Sequence, residues 1–382
     1  MVSRRIVLAA SGAVLAAPAW GWAATESAPE TCELALDGPS GTNAYVTGRE
    51  QGTDRWMLLR AAGSYYHLEE PPGPQTPLPV DCAIPVGRVL TLRQMYGARI
   101  YFVRDATLDF YVNPGPSLVE PAFATPGDPN YRKIWSFCEF TFNPTQIFVN
   151  LSYVDLVTAL PIGLRLEGDA TQTVEPAPAG AVAAIADALA AQTAADGRPW
   201  DTLVLRDGDR ILRAVAPQVR LDSGFASYWD GYVDQVWQKY AGTDLRVDLQ
   251  GGRGVLTGRV NGDLLTFGDG SSFARPVAKD IFTCNDGPFA NNPADPDSRK
   301  ALIARLAAAF NRSTLYESAD QPTADHYYEN PVTNHWARIV HAHTPIGYAF
   351  PYDDVRPDGA PDVSGAVWDG NPRRLTVTAG GA

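Results

Sequence analysis

Trp135-Ser136-Phe137-Cys138-Glu139-Phe140-Thr141-Phe142-Asn143 marks the chain as a β protein. Its aromatic residues, interleaved with Ser and Thr, make it strongly strand-like. A second such run, Phe148-Val149-Asn150-Leu151-Ser152-Tyr153-Val154-Asp155-Leu156-Val157, follows after Pro144-Thr145. Each run places one carboxylate, Glu139 or Asp155, among apolar neighbours. An acid in that setting is costly unless it is paired, hydrogen-bonded or open to a cleft. The plain reading is that both acids face solvent; the sharper reading is that they act together. A tight turn at Pro144-Thr145 pairs Glu139 with Asn150 and leaves Asp155 far along the ladder on the opposite face. A wider loop centred near Ile147 sets the acids opposite each other. Joint chemistry therefore predicts the wider connection, or a bulge.

Outward from this pair, short strand-like runs alternate with turn clusters from about 31 to 168. Examples are Ala44 to Thr47, Arg55 to Leu59, Arg99 to Val103 and Leu108 to Val112, broken by Pro71 to Pro79 and Asn113 to Pro116. Strands at this spacing predict a sandwich or barrel. After Gly168 the character changes. A Pro-rich patch, Pro176 to Gly180, leads into an alanine-rich helix, Ala181 to Gln192, and then strands at Thr202 to Leu205 and Arg210 to Val215. Phe225, Trp229, Tyr232, Val233, Val236, Trp237 and Tyr240 recur at helical spacing and read as a core-facing stripe. Further strands are expected at Leu245 to Leu249 and Val255 to Phe267. A last helix, capped by Asp297 or Ser298, presents Leu302, Ile303, Leu306 and Phe310 on one face. The predicted organisation is a leader at 1–23, a first β part at 24–168, a mixed α/β part at 169–274, and a return to the β part at 275–382.

The 382 residues carry a formal net charge of −12, with 34 glycines and 31 prolines. That acidity disfavours nucleic acid and anionic membrane surfaces as partners and leaves neutral polymers open. Met1 to Arg5 is short and basic, Ile6 to Ala19 is apolar, and small residues around Ala23 and Ala24 offer a cleavage site. Ser3-Arg4-Arg5-Ile6-Val7-Leu8 resembles a twin-arginine signal, so the protein is expected to be periplasmic or secreted. Cys32, Cys82, Cys138 and Cys284 fit two disulfides in an oxidising compartment, taken here as Cys32–Cys82 and Cys138–Cys284 among three allowed pairings. Asn150-Leu-Ser152 and Asn311-Arg-Ser313 fit a glycosylation sequon, which a bacterial export signal leaves without significance.

The stretch from Trp135 to Gly163 resembles the signature of glycoside hydrolase family 64, the laminaripentaose-producing β-1,3-glucanases, distant relatives of the thaumatin-like proteins. The resemblance rests on Glu139-Phe140-Thr141, Ser152-Tyr153-Val154-Asp155 and Leu160-Pro161-Ile162-Gly163. It continues in Asp280 to Phe289 and Tyr348 to Val355, with weaker matches at Tyr45 to Gly48, Asp128 to Asn130 and Tyr232 to Trp237. It implies a mainly β fold with an α/β insertion: a thaumatin-like β-barrel or sandwich domain, a smaller mixed α/β domain and an open groove between them. It implies an endo-type β-1,3-glucanase that needs no cofactor or metal and acts as a monomer on laminarin- or curdlan-like glucan. Glu139 is then the general acid and Asp155 the general base of an inverting hydrolysis. Thr141, Asn143, Phe148, Ser152, Asp353 and Asp354 are expected at the substrate. Two positions depart from the family: Phe148 stands where a tryptophan is expected for sugar stacking, and Ser152 where a threonine is expected. Phe137 and Phe140 beside Glu139 predict desolvation of the acid, which would favour its protonated form.

Three other chemistries compete. His335, His341 and His343, the last two on one face of a strand, could ligate zinc. Cys138 could be a nucleophile, but it alternates with Glu139 and is expected to point into the core. A non-catalytic β-glucan-binding thaumatin-like protein would share the groove but would not need both Glu139 and Asp155.

Overall fold

The computed structural model of the chain describes residues 27–344 and 346–380; the expected leader at 1–23 lies outside them. The chain first builds two facing sheets. The smaller has the strand order Thr171–Val174, Ile162–Glu167, Arg374–Ala379, Thr31–Asp37, Arg88–Arg93. Thr31–Asp37 and Arg374–Ala379 run parallel, Leu34 beside Leu375, so the first and last strands of the described residues are neighbours. The larger sheet runs Ala366–Asp369, Ile147–Asn150, Trp135–Phe142, Met95–Arg104, Thr42–Glu50, Trp56–Leu59, Tyr65–His67. The two-residue strand Ile84–Pro85 pairs with Thr42–Glu50 from outside this order.

Period-two side-chain alternation decides what lies between the sheets. Leu34, Leu36, Leu92, Leu164, Leu375 and Val377 of the smaller sheet bury against Val46, Ile100, Phe102, Phe140, Phe142 and Val149 of the larger. The opposite face of the larger sheet has two fates. At one end Tyr45, Tyr101, Trp135 and Phe137 are covered by a second core that includes Trp200, Phe225, Trp229 and Trp336. At the other end Glu139, Thr141 and Phe148 stay partly exposed.

The second core belongs to the mixed part of the chain. Its helices are Ala181–Asp196, Asp230–Gly242, Ala278–Thr283, Asp297–Asn311 and His335–His343. A three-stranded sheet holds Leu156–Thr158, Arg210–Val215 and Val204–Asp207, and a five-stranded sheet holds Ser272–Ala274, Leu264–Phe267, Val255–Asn261, Leu245–Asp248 and Asp320–Gln321. The return to the β part, expected at 275, comes later. Asp320–Gln321 still pairs with Leu245–Asp248, and the strands that rejoin the sandwich are Ala366–Asp369 and Arg374–Ala379. The helices between them supply Ile281, Phe282, Leu302, Leu306, Trp336 and Val340 to the second core, and this burial keeps them there.

Other expectations are corrected in detail. Phe225 and Trp229 are buried as predicted, but they precede the helix that begins at Asp230. Leu108 to Val112 forms only the short strand Tyr111–Asn113. The helix at Asp297 has Pro296 at its N-cap and no side-chain cap. His341 and His343 lie on a helix, where residues two apart do not share a face, so the strand-face argument for zinc fails. All four cysteines are free and buried. Each expected disulfide would join one sulfur from the sandwich core, Cys32 or Cys138, to one from the second core, Cys82 or Cys284.

Candidate active site

The connection between the two acidic runs is the tight one. Phe142 pairs with Ile147 and Glu139 with Asn150. Asn143 N donates to Gln146 O at 3.0 Å. The Asn143 side chain makes the turn: Oδ1 accepts from Thr145 N at 2.8 Å and Gln146 N at 3.0 Å. Asn143, expected at the sugar, is thus engaged in closing the hairpin, and the predicted wide loop is absent.

Asp155 nonetheless returns to Glu139, because the chain leaves the ladder after Asn150. Leu151 N donates to Gly365 O at 3.1 Å, Ser152 bridges to Tyr348, and Tyr153 N donates to Tyr348 O at 2.7 Å. Gly347, at φ 134°, makes room here, since a Cβ would sit 2.4 Å from the Tyr153 ring. Trp336 Nε1 donates to Tyr153 O at 3.2 Å and Gln218 Nε2 to Val154 O at 2.6 Å. Ala216 N then donates to Asp155 O at 2.9 Å, and the next residue opens the Leu156–Thr158 strand of a different sheet. A change of sheet, rather than hairpin width, sets the position of Asp155.

The electrostatics divide the two acids. Glu139 Oε1 accepts from Arg99 Nε at 3.2 Å and Nη2 at 3.0 Å, and its side chain is 34% exposed. Arg99 also donates from Nη1 to Glu120 Oε2 at 2.9 Å and lies 4.7 Å from the Phe137 ring centroid. Tyr101 Oη donates to Glu120 Oε1 at 2.5 Å, completing the cluster. Burial, then the charge of Glu139, push the half-buried Asp155 carboxyl from 3.8 up to about 6, against opposing effects of Arg99 and Gln218. The desolvated acid is therefore Asp155. The apolar crowding expected around Glu139 is missing because Phe140 points into the sandwich core and Phe137 lies beneath Arg99.

Residues paired directly across strands share a face. One row is Thr141, Phe148 and Trp368; the next is Thr47, Arg99, Glu139, Asn150 and Ala366. Thr141, Phe148 and Ser152 are half-buried. Asp353 is not at the surface: it is 1% exposed, and both oxygens are engaged. Oδ1 accepts from Arg312 Nη2 at 2.9 Å, and Oδ2 meets His341 Nε2 at 2.7 Å and Ala349 N at 2.9 Å. Although burial opposes it, His341 and Arg312 hold this carboxyl below its ordinary value. Its expected contact with sugar is corrected to a buried brace. Asp354 is half-buried, and burial raises its carboxyl. Cys138 is fully buried on the far face, and desolvation pushes its thiol up to about 12, which leaves no thiolate for nucleophilic attack.

Sequence reasoning missed Arg99, Glu120 and Trp368. A charged residue opening the apolar run Arg99-Ile100-Tyr101-Phe102-Val103 was the available signal for the first, since arginine is seldom buried without a partner. No sequence signal singled out Trp368, whose place beside Phe148 is set by strand pairing.

The profile of the β-1,3-glucanase family, glycoside hydrolase family 64, matches residues 31–379. A glucan endo-1,3-beta-glucosidase from Cellulosimicrobium cellulans is 32% identical over 397 residues, covering 97% of this chain and 68% of its own. One from Arthrobacter sp. (strain YCWD3) matches to the same extent. The crystal structure of a laminaripentaose-producing β-1,3-glucanase in complex with laminaritetraose superposes with a TM-score of 0.80 at 32% identity, covering 92% of this chain and 98% of that one. A β-1,3-glucanase domain from Clostridium beijerinckii, 19% identical, shares the fold with a TM-score of 0.72 over 92% of this chain and 98% of its own. The chain belongs to glycoside hydrolase family 64, the β-1,3-glucanases.

Proposed function

We propose that the protein is an exported endo-β-1,3-glucanase that hydrolyses linear β-1,3-glucan with inversion, Glu139 acting as general acid and Asp155 as general base. The observation that carries the proposal is Asp155, half-buried where the chain passes between two sheets, within electrostatic reach of Glu139 and lifted to about 6. A carboxylate that basic suits removal of a proton from water near neutral pH, whereas an ordinary aspartate is a weak base there. In the reactive form the coupled pair holds one proton, carried on Glu139, which gives it to the leaving glycosidic oxygen as the bond to the anomeric carbon breaks. Asp155 takes one from the water that attacks the opposite face, so the pair's proton ends on Asp155. Room for that water requires the carboxyls to stand roughly 6.5–9.5 Å apart in the complex.

Thr141 and Ser152 are the hydroxyls, and Phe148 the apolar surface, that would meet the sugar. A thaumatin-like β part, a smaller mixed part and a groove between them complete the reading, with the protein acting as a monomer after export by its twin-arginine-like leader. The glucanase relatives and the laminaritetraose bound by a structural neighbour support β-1,3-glucan as the substrate. A β-glucan-binding protein without hydrolysis is the second reading, and the hydrolase family and the glucosidase relatives weigh against it. Digestion of linear β-1,3-glucan followed by NMR of the products tests both. New reducing ends released as α-anomers are expected; β-anomers overturn inversion, and an absence of new reducing ends overturns hydrolysis.

A further inference from the structure

Trp368 stands out from the other described tryptophans. Those are buried or half-buried, whereas Trp368 is 43% exposed. It lies on the edge strand of the larger sheet and pairs directly with Phe148, which in turn pairs with Thr141. The indole and the phenyl ring therefore project from paired positions on the face that carries Glu139. Single exposed apolar residues are ordinary; two adjoining aromatics in register with a candidate catalytic row are a surface. The edge strand is also pinned. Gln172, on the smaller sheet, donates from Nε2 to Trp368 O at 2.6 Å and accepts from Trp368 N at 3.3 Å through Oε1. That clamp fixes the backbone from which the indole projects and occupies the open edge where another strand could pair.

We propose that Trp368 forms a distal glucan-stacking subsite that extends the site past Phe148. This rests on the glucanase reading above. Two strand spacings and two residues of rise separate Trp368 from Glu139, a span of about 12 Å. That is more than one hexose ring covers, so the subsite engages a sugar beyond those flanking the broken bond. An indole presents a large, rigid apolar face to the C–H face of a pyranose at little entropic cost, and its N–H can donate to a hydroxyl.

The test uses the full chain and two variants, Trp368→Ala and Trp368→Phe, on linear β-1,3-gluco-oligosaccharides of graded length. The ratio of kcat/KM for long over short substrates is expected to fall roughly fivefold to tenfold in Trp368→Ala, through KM, and to recover largely in Trp368→Phe. A ratio that stays at the wild-type value in Trp368→Ala, with Tm unchanged, overturns the subsite, as does an equal loss on every length. Failure of the wild-type protein to cut any β-1,3-glucan would overturn the functional reading instead. Retardation of wild-type and Trp368→Ala protein in laminarin-containing native gels then decides the subsite independently: equal retardation of the two removes it.

Discussion

Replacing Asp155 with asparagine should make the protein more stable while disabling it. The carboxyl's ordinary value of 3.8 becomes about 6 in the fold. At about 1.36 kcal/mol per pH unit, ionising Asp155 at neutral pH costs the native state up to about 3 kcal/mol. Water reaches the half-buried side chain and screens part of this, so a gain of about 1–2 kcal/mol is expected from Asp155→Asn. Between pH 3.8 and about 6 the native state binds more protons here than the unfolded chain, so this contribution to stability is full below 3.8 and is lost as pH rises through 6. Asparagine keeps the shape and the hydrogen-bonding oxygen and carries no charge to penalise. Thermal unfolding of both proteins should show a Tm several degrees higher for the variant at pH 7.5 and nearly equal values at pH 4. Turnover of laminarin should meanwhile drop by about 10² or more. A variant less stable at pH 7.5, or one whose gain is as large at pH 4, would refute the placement of this carboxyl.

Glu139→Gln should lower kcat on laminarin by about 10² or more, measured as new reducing ends; near-wild-type turnover would remove Glu139 from its role. Because Asp155 must be ionised to act as base, kcat/KM should fall on the acid side as the pair takes up its second proton, and Arg99→Met should move that limb to higher pH by withdrawing a cation that lowers Asp155's value. A limb that stays in place in the variant would separate Arg99 from the pair. Asp353→Asn should destabilise by about 3–5 kcal/mol in urea unfolding, since it leaves buried Arg312 without its counter-charge, while KM of the folded protein keeps its wild-type value. The four thiols should resist a disulfide-exchange reagent in native protein and all react in denaturant, and reductant should leave Tm unaltered.

What the sequence made legible was local. Period-two patterning found the strands around Ala44, Arg99 and Glu139, and helical spacing found the buried stripe from Tyr232 to Tyr240, because each is set by which side of one element meets water. Resemblance gave Glu139 and Asp155 together, yet the route between them was misjudged. The sequence suggests continuation of one ladder from Phe148 to Val157, whereas the bond from Tyr153 to Tyr348 depends on a residue almost two hundred positions away, and the turn into a new sheet depends on the strand that ends at Val215. Asp353 was misread for a related reason: a tandem of acids looks like a surface until Arg312 and His341 are known to converge on it. Arg99 needed two partners, Glu120 and Glu139, that only the folded sheet brings to it.

Leu34 and Leu375 lie on adjacent parallel strands. During synthesis the first of these leaves the ribosome long before the second exists, so one side of the smaller sheet waits as an unpaired edge while nearly everything in between is made. Completion of the sandwich is thus a late, long-range event, slow by its contact order. Cutting the chain before Arg374 would remove the middle strand of that sheet rather than a dispensable tail.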